Sequence, residues 1–258
     1  MFSFFKKKYI FNPQKYNLRF FTDLKEDCDL AATSKVIYCF WTGGNDLTVN
    51  RKTSLDILKK YSGVEIQLIT PLNLEDYILE DYPLHEAYQY LSLVHRSDYL
   101  RCYFMYHYGG GYTDIKANYN NWKNAFDLLN DNHDKAVIGY PEIKKEDIGY
   151  IKSFVDKKNA KKINKDMKKN YYLMIGNCSY IFKPKSLFAK LWYDELHLRL
   201  DENLHLLKKH PGNVLGDNEG YPLPWTSILG QIFHPLCLNF HDKLILDENL
   251  RPILTDYR

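Results

Sequence analysis

Between residues 35 and 69 two apolar runs flank one amphipathic stretch, and this spacing constrains the fold more than any other feature. Lys35-Val-Ile-Tyr-Cys-Phe-Trp41 is a continuous apolar run of strand length, ended by Thr42-Gly43-Gly44-Asn45-Asp46, a strong turn signal. A helix pattern follows, with Asn50 as its cap and Leu55, Ile57 and Leu58 as its apolar stripe. Gly63 breaks it, and Val64-Glu-Ile-Gln-Leu-Ile69 alternates like a strand. Strand, helix and strand in that order form a β-α-β unit, which implies a parallel sheet with helices on its faces.

The rest of the chain extends this pattern. Helical segments are expected near 74–82 and over 85–108, with a restart at Ser97, before Gly109-Gly110-Gly111 stops the helix. Short strands are expected at 112–116 and 136–140, with a helix over 123–131 between them. Strand patterns return at 171–175 and 179–182, and Gly176-Asn177-Cys178-Ser179 between them reads as a turn or as a place for Asn177 beside an acceptor. A long helix from Ser186 to about Lys209 follows from its leucine spacing, and residues 226–234 look helical. The expected class is α/β, with helices added after the sheet. The division is a basic-aromatic lead-in (1–33) and one domain (34–258), split into 34–140, a Lys-rich segment at 142–170, and 171–258.

With 258 residues, 45% hydrophobic and 26% charged, the chain can bury a sizeable core, so disordered, collagen-like and coiled-coil classes are excluded. Thirty-five Lys and Arg against 32 Asp and Glu leave a net charge of +3, too balanced to imply nucleic acid. Five cysteines, Cys28, Cys39, Cys102, Cys178 and Cys237, are widely spaced without C-x-x-C, which argues against a disulfide framework and a zinc ribbon and fits a reducing compartment. No apolar run is long enough to span a membrane. The opening Met1-Phe-Ser-Phe-Phe-Lys-Lys-Lys8 reads as a frayed or packed start, or as a weak interfacial anchor. Residues 142–170 hold ten lysines against five acidic residues. They read as a solvated segment, a lid, or a patch for an anionic acceptor or membrane surface.

The chemistry concentrates between residues 97 and 116. Asp98 and Arg101 are three apart on one helix face, and Leu100, Phe104 and Tyr108 suit the opposite, buried face. The triple glycine permits a left-handed stop. A strand after it puts Tyr112, Asp114 and Lys116 on one face. Asp98, Arg101, Asp114 and Lys116 are therefore expected to converge at the carboxyl end of the sheet, where open α/β sheets bind ligands. Carboxylates with cations suit a sugar joined to a phosphate: the acids hold hydroxyls or a metal, and the cations neutralise phosphate.

The run Ser97-Asp98-x-x-Arg101 through Gly109-Gly110-Gly111-Tyr112-Thr-Asp114 resembles the signature of family 32-type glycosyltransferases, which include capsular polysaccharide and lipooligosaccharide sugar transferases. Val36 to Gly43 is similar to that family's first strand. The resemblance implies a GT-A, Rossmann-like fold and a cytoplasmic retaining enzyme. Its donor would be a nucleotide sugar, a UDP-hexose, and its acceptor a saccharide or glycolipid in bacterial surface-polysaccharide synthesis, with peripheral contact on the inner membrane face open. It implies that Asp98 holds donor-sugar hydroxyls and that Arg101 lies near sugar and phosphate. Tyr112 and Asp114 take the Tyr and first Asp of Y-x-D-x-D. Phe40, Trp41 and Gly43 form the wall beside base and ribose, and Trp225 belongs to a loop closing over the donor.

One position departs. Lys116 stands where D-x-D has its second Asp, which helps bind Mn²⁺ or Mg²⁺. Three readings stay open. Lys116 supplies the charge itself; Asp114 holds a metal with later residues such as His241 or Asp242; or the chain is an inactive nucleotide-sugar-binding module.

Overall fold

The computed structural model describes residues 9–24 and 30–256. Cys28 and the Met1–Lys8 anchor reading lie outside the described residues. Six strands form one sheet in the order β2-β1-β3-β5-β4-β6. These are β1 (Val36–Phe40), β2 (Glu65–Ile69), β3 (Gly110–Thr113), β4 (Val137–Pro141), β5 (Ile175–Phe182) and β6 (Leu244–Leu246). β1 pairs in parallel with β2 and β3, and β4 with β6, while β5 runs antiparallel between β3 and β4. The sheet is mostly parallel with helices on both faces, as a GT-A, Rossmann-like fold requires.

Strand alternation explains the two layers. Val36, Tyr38 and Phe40 of β1 join the larger core under α2 (Leu93–His107), α5 (Leu187–Lys209) and α6 (Gly230–Asn239). The residues between them face the other way. Ile37 packs with Trp122 and with Phe126 and Leu129 of α3 (Lys123–Asp131), and Cys39 packs with Leu55 and Leu58 of α1 (Val49–Tyr61). Period two splits β1 between two hydrophobic layers. Tyr16, Leu18 and Phe20 of the lead-in are buried in the larger core.

Several local expectations change. Thr48, not Asn50, caps α1, accepting from the Arg51 backbone N–H. One helix spans α2, capped by Ser92, so the expected restart at Ser97 falls inside it. The segments near 74–82 and 85–92 hold no α-helix: they form the 3-10 turns Leu74–Tyr77 and Glu86–Tyr90, with an antiparallel bridge between Leu79 and Tyr82. Residues 175–182 form one strand, not two around a turn. Gly176 is needed there because a β-carbon would fall 1.9 Å from Tyr140 Cζ, so its signal is steric rather than a turn. Gly109 and Gly110 do take the left-handed region, at φ 66° and 82°, and carry the chain from α2 straight into β3.

Within 142–170 a helix, α4 (Lys157–Lys169), packs on α6 through a face holding Ala160, Ile163 and Met167. Among the described residues no helix is long and apolar enough to cross a membrane, and Cys39, Cys102, Cys178 and Cys237 are free thiols.

Candidate functional site

The site forms where β1 and β3 end and the N-terminal half of α2 crosses above them. β1 runs out through Phe40 into Trp41, Thr42 and Gly43. The Thr42 hydroxyl donates to the Leu93 carbonyl at 2.6 Å, which ties this loop to the first turn of α2. Trp41 Nε1 donates to the Asn45 carbonyl at 2.7 Å. A cavity of about 330 Å³ opens between these parts. Phe40, Trp41, Thr42, Gly43 and Asn45 wall one side, Leu93, Val94, Ser97 and Arg101 another, and Tyr112, Asp114 and Ile115 the floor, with Arg51 and Val214 at the edges. It lies at the carboxyl ends of parallel strands, the usual ligand position of such sheets, and its size falls within the roughly 300–1,000 Å³ of small-molecule sites.

Arg101 is the hub. Its guanidinium lies over the Tyr112 ring, 4.5 Å from the centroid, and Phe40 stacks with the same ring at a centroid distance of 5.5 Å. Nη2 reaches Asp114 Oδ1 at 3.1 Å and Asp98 Oδ1 at 3.6 Å, and Nη1 donates to the Asn177 carbonyl at 3.2 Å. Asp114 is fixed by its own N–H, which donates to the Cys178 carbonyl of β5 at 2.8 Å. Its Oδ1 also accepts from the Tyr112 hydroxyl at 2.5 Å, and its Oδ2 accepts from Lys116 Nζ at 2.7 Å. Lys116 is 6% exposed, and its Nζ lies 3.5 Å from Cys178 Sγ. The four charged residues expected to converge form one connected cluster.

Their environments push the two acids apart. Burial raises the Asp98 carboxyl to about 7, although Arg101 pulls it down. Burial also acts on Asp114, but Arg101 and Lys116 outweigh it and hold this carboxyl well below the usual carboxylate range. Asp114 is thus a fixed anion, and Asp98 titrates near neutrality. Two buried polar atoms of the cluster, Arg101 Nε and the Tyr180 hydroxyl, have no protein partner. Such atoms are rare in folded proteins and call for a water or ligand atom.

The remaining expected residues are spread out. Asn177 enters the cluster through its carbonyl and lies in the middle of β5. Trp225 is 56% exposed, and its carbonyl accepts from His95 Nε2 at 3.3 Å; it does not line the cavity. His241 does not join Asp114. Its ring nitrogens lie 2.9 Å from the Leu238 carbonyl and 3.1 Å from the Tyr9 carbonyl, and it lines a separate cavity with Asp242. Arg51, which lines the main cavity and donates to the Ile115 carbonyl at 2.6 Å, had no distinguishing signal in a polar helix. Nor did Tyr180, whose place beside Arg101 depends on β5 being continuous.

The donor set does not suit a divalent cation. Asp114 has both oxygens engaged by Lys116, Tyr112 and Arg101, and among the described residues the one other carboxylate on Arg101 is Asp98. Among the described residues no three His, Cys, Asp or Glu side chains gather to hold a metal ion. Such cations take about six oxygen ligands, commonly from carboxylates.

Residues 38–124, from β1 into α3, match the family model of a glycosyltransferase sugar-binding region containing a DXD motif. The matched segment holds most of the cavity wall, Asp98, Arg101, Asp114 and Lys116, and it supports a sugar-transferring enzyme that uses a nucleotide-sugar donor and an acceptor. No curated protein and no solved structure matches the chain.

Proposed function

From that match and the cavity it walls, we propose that the protein is a retaining hexosyltransferase. It moves a hexose from a UDP-hexose to a saccharide or glycolipid acceptor in bacterial surface-polysaccharide or lipooligosaccharide assembly. The observation that carries this reading is the setting of Arg101, a guanidinium only 12% exposed, held over Tyr112 between Asp98 and Asp114 at the cavity wall. A cation between two acids, one fixed and one near neutral, suits a ligand that is part phosphate and part polyol.

In the reaction the acceptor hydroxyl oxygen bonds to the donor's anomeric carbon on the face from which the diphosphate departs. The bond from that carbon to the diphosphate oxygen breaks, and the acceptor's proton passes to the departing diphosphate. The products are the glycoside and UDP. Asp98 accepts hydrogen bonds from sugar hydroxyls. Arg101 lies against the diphosphate, where preorganised donors are worth about 3–4 kcal/mol each in the transition state. Phe40, Trp41 and Gly43 line the base and ribose side. Asn177 is assigned to the acceptor side, and Trp225 to closure over the donor. Asp114, saturated by its partners, positions Arg101 rather than attacking carbon.

A membrane-borne acceptor fits one surface. α4 presents Lys157, Lys158, Lys161, Lys162, Lys165, Lys168 and Lys169 to solvent, and among the described residues none is in an ion pair. This face suits an anionic membrane on its cytoplasmic side.

The test is UDP release from a panel of UDP-hexoses with and without a lipid-linked saccharide. Acceptor-dependent release supports the transferase. Because Lys116 replaces an acid of D-x-D, a catalytically inactive binding module is the second reading, and donor binding without release would select it. Absence of donor binding would end both.

A further inference from the structure

Resting on the donor reading above, we infer that the site neutralises the donor diphosphate with the Lys116 ammonium and the Arg101 guanidinium, without a divalent metal. In a D-x-D site the second carboxylate and its divalent cation together carry one net positive charge. A single ammonium carries the same charge, and Lys116 stands at that position.

The geometry makes the two arrangements exclusive. Lys116 Nζ sits 2.7 Å from Asp114 Oδ2, the oxygen a metal would need, and Asp114 Oδ1 already takes the Tyr112 hydroxyl and Arg101. A cation coordinated at Oδ2 would meet the ammonium at close range in a low-dielectric pocket, where like charges repel strongly. Lys116 is also held in place. It is nearly buried, its backbone N–H donates to the Asp114 carbonyl at 2.6 Å, and its Nζ lies against Cys178 of the neighbouring strand. Its charge is therefore fixed before the donor arrives, as electrostatic stabilisation of a leaving group requires. A merely solvated lysine would be exposed and paired loosely.

Calorimetric titration of the full chain with UDP, in EDTA and then with Mn²⁺, tests this, alongside Mn²⁺ titrated alone. The wild type is expected to bind UDP in EDTA, with an affinity that Mn²⁺ changes by no more than about twofold. Lys116→Met should lose at least about tenfold in UDP affinity under both conditions, as loss of a charge-assisted contact implies. Lys116→Asp restores the paired carboxylates. It should bind Mn²⁺ alone and recover UDP binding only when Mn²⁺ is present. Lys116→Arg, which keeps the charge, should retain UDP binding in EDTA and covers the case in which Lys116→Asp does not fold. UDP binding by the wild type that appears only with Mn²⁺, or full UDP binding by Lys116→Met in EDTA, overturns the inference while leaving the donor reading intact. Failure of UDP, GDP, CDP and ADP to bind under any condition overturns the donor reading and the inference with it.

Discussion

Asp98 is a carboxylate kept where its charge is costly. Burial raises it to about 7 against a reference of 3.8. The unfolded chain releases this proton near pH 4 and the folded chain near pH 7, so stability falls as pH rises through that window. The neutral isostere Asp98→Asn should therefore melt higher than wild type at pH 8, by up to about 4 kcal/mol, and the gain should shrink at pH 5. The same variant should lose orders of magnitude in kcat/KM, because Asn offers a sugar hydroxyl one acceptor instead of a carboxylate. A stability gain with full activity would remove Asp98 from donor binding. Arg101→Lys is the complementary case. A point charge cannot span Asp98, Asp114 and the Asn177 carbonyl at once, so turnover should fall by about a hundredfold or more while the fold persists, as circular dichroism would show. At this scale the sequence was informative wherever spacing alone sets proximity: Asp98 with Arg101 one helical turn apart, and Tyr112 with Asp114 two residues apart in the chain. Arg51 and Tyr180 reach the site through long-range packing, and no local pattern marks that.

Among the elements, α5 was legible and β5 was not, for physical reasons. Leucines at 187, 191, 196, 200, 204 and 207 give α5 its helical stripe, and Ser186 caps it by accepting from the Ala189 N–H. In β5 the run Gly176-Asn-Cys-Ser has turn composition, yet it lies within the strand, with Tyr140 of β4 filling the place where a Gly176 β-carbon would stand. Gly176→Ala should then cost about 1–3 kcal/mol in urea unfolding, the usual range for overpacking. Tyr140→Leu should relieve much of it, giving a coupling in a double-mutant cycle that a turn at 176–179 would not produce. α4 carries its own prediction. Lys158, Lys161, Lys165 and Lys168 stand opposite the buried Ala160, Ile163 and Met167, so they can face one plane together. Near an anionic surface each contributes on the order of 1 kcal/mol. The protein should sediment with phosphatidylglycerol vesicles at low salt, release at high salt, and stop binding when Lys161, Lys165 and Lys168 become Glu. Equal binding to neutral phosphatidylcholine vesicles would contradict a charge-based contact.

At the scale of the whole molecule, α2 joins the site to the rest of the structure, and histidines sit where it docks. His95 on α2 accepts from the Tyr221 hydroxyl at 2.8 Å and donates to the Trp225 carbonyl, while the same hydroxyl accepts from the Ser92 N–H. That pattern needs a neutral imidazole. His107, near the other end of α2, faces Lys185 Nζ at 2.9 Å, and His197 on α5 meets the Tyr99 hydroxyl of α2 at 3.1 Å. Burial first, with nearby cations or histidines for the latter two, lowers all three to about 4. Unfolded histidines take a proton near pH 6.5 and these do not until about pH 4, so between those values the unfolded chain binds more protons and stability falls as pH falls. His95 alone amounts to on the order of 3 kcal/mol across the window. Asp98 opposes this with one proton in the other direction, leaving the histidines dominant. Urea unfolding should thus show a clear loss of stability from pH 7 to pH 5. His95→Phe should start lower at pH 7, because the Tyr221 hydroxyl loses its acceptor, yet lose less on acidification. An unchanged slope in that variant would mean that His95 is protonated in the native state, and the bond from Tyr221 would have to be reassigned. Because the loop held by His95 meets α2 one turn before Asp98, on the helix that also carries Arg101, UDP affinity should weaken over the same pH range, and more in the wild type than in His95→Phe.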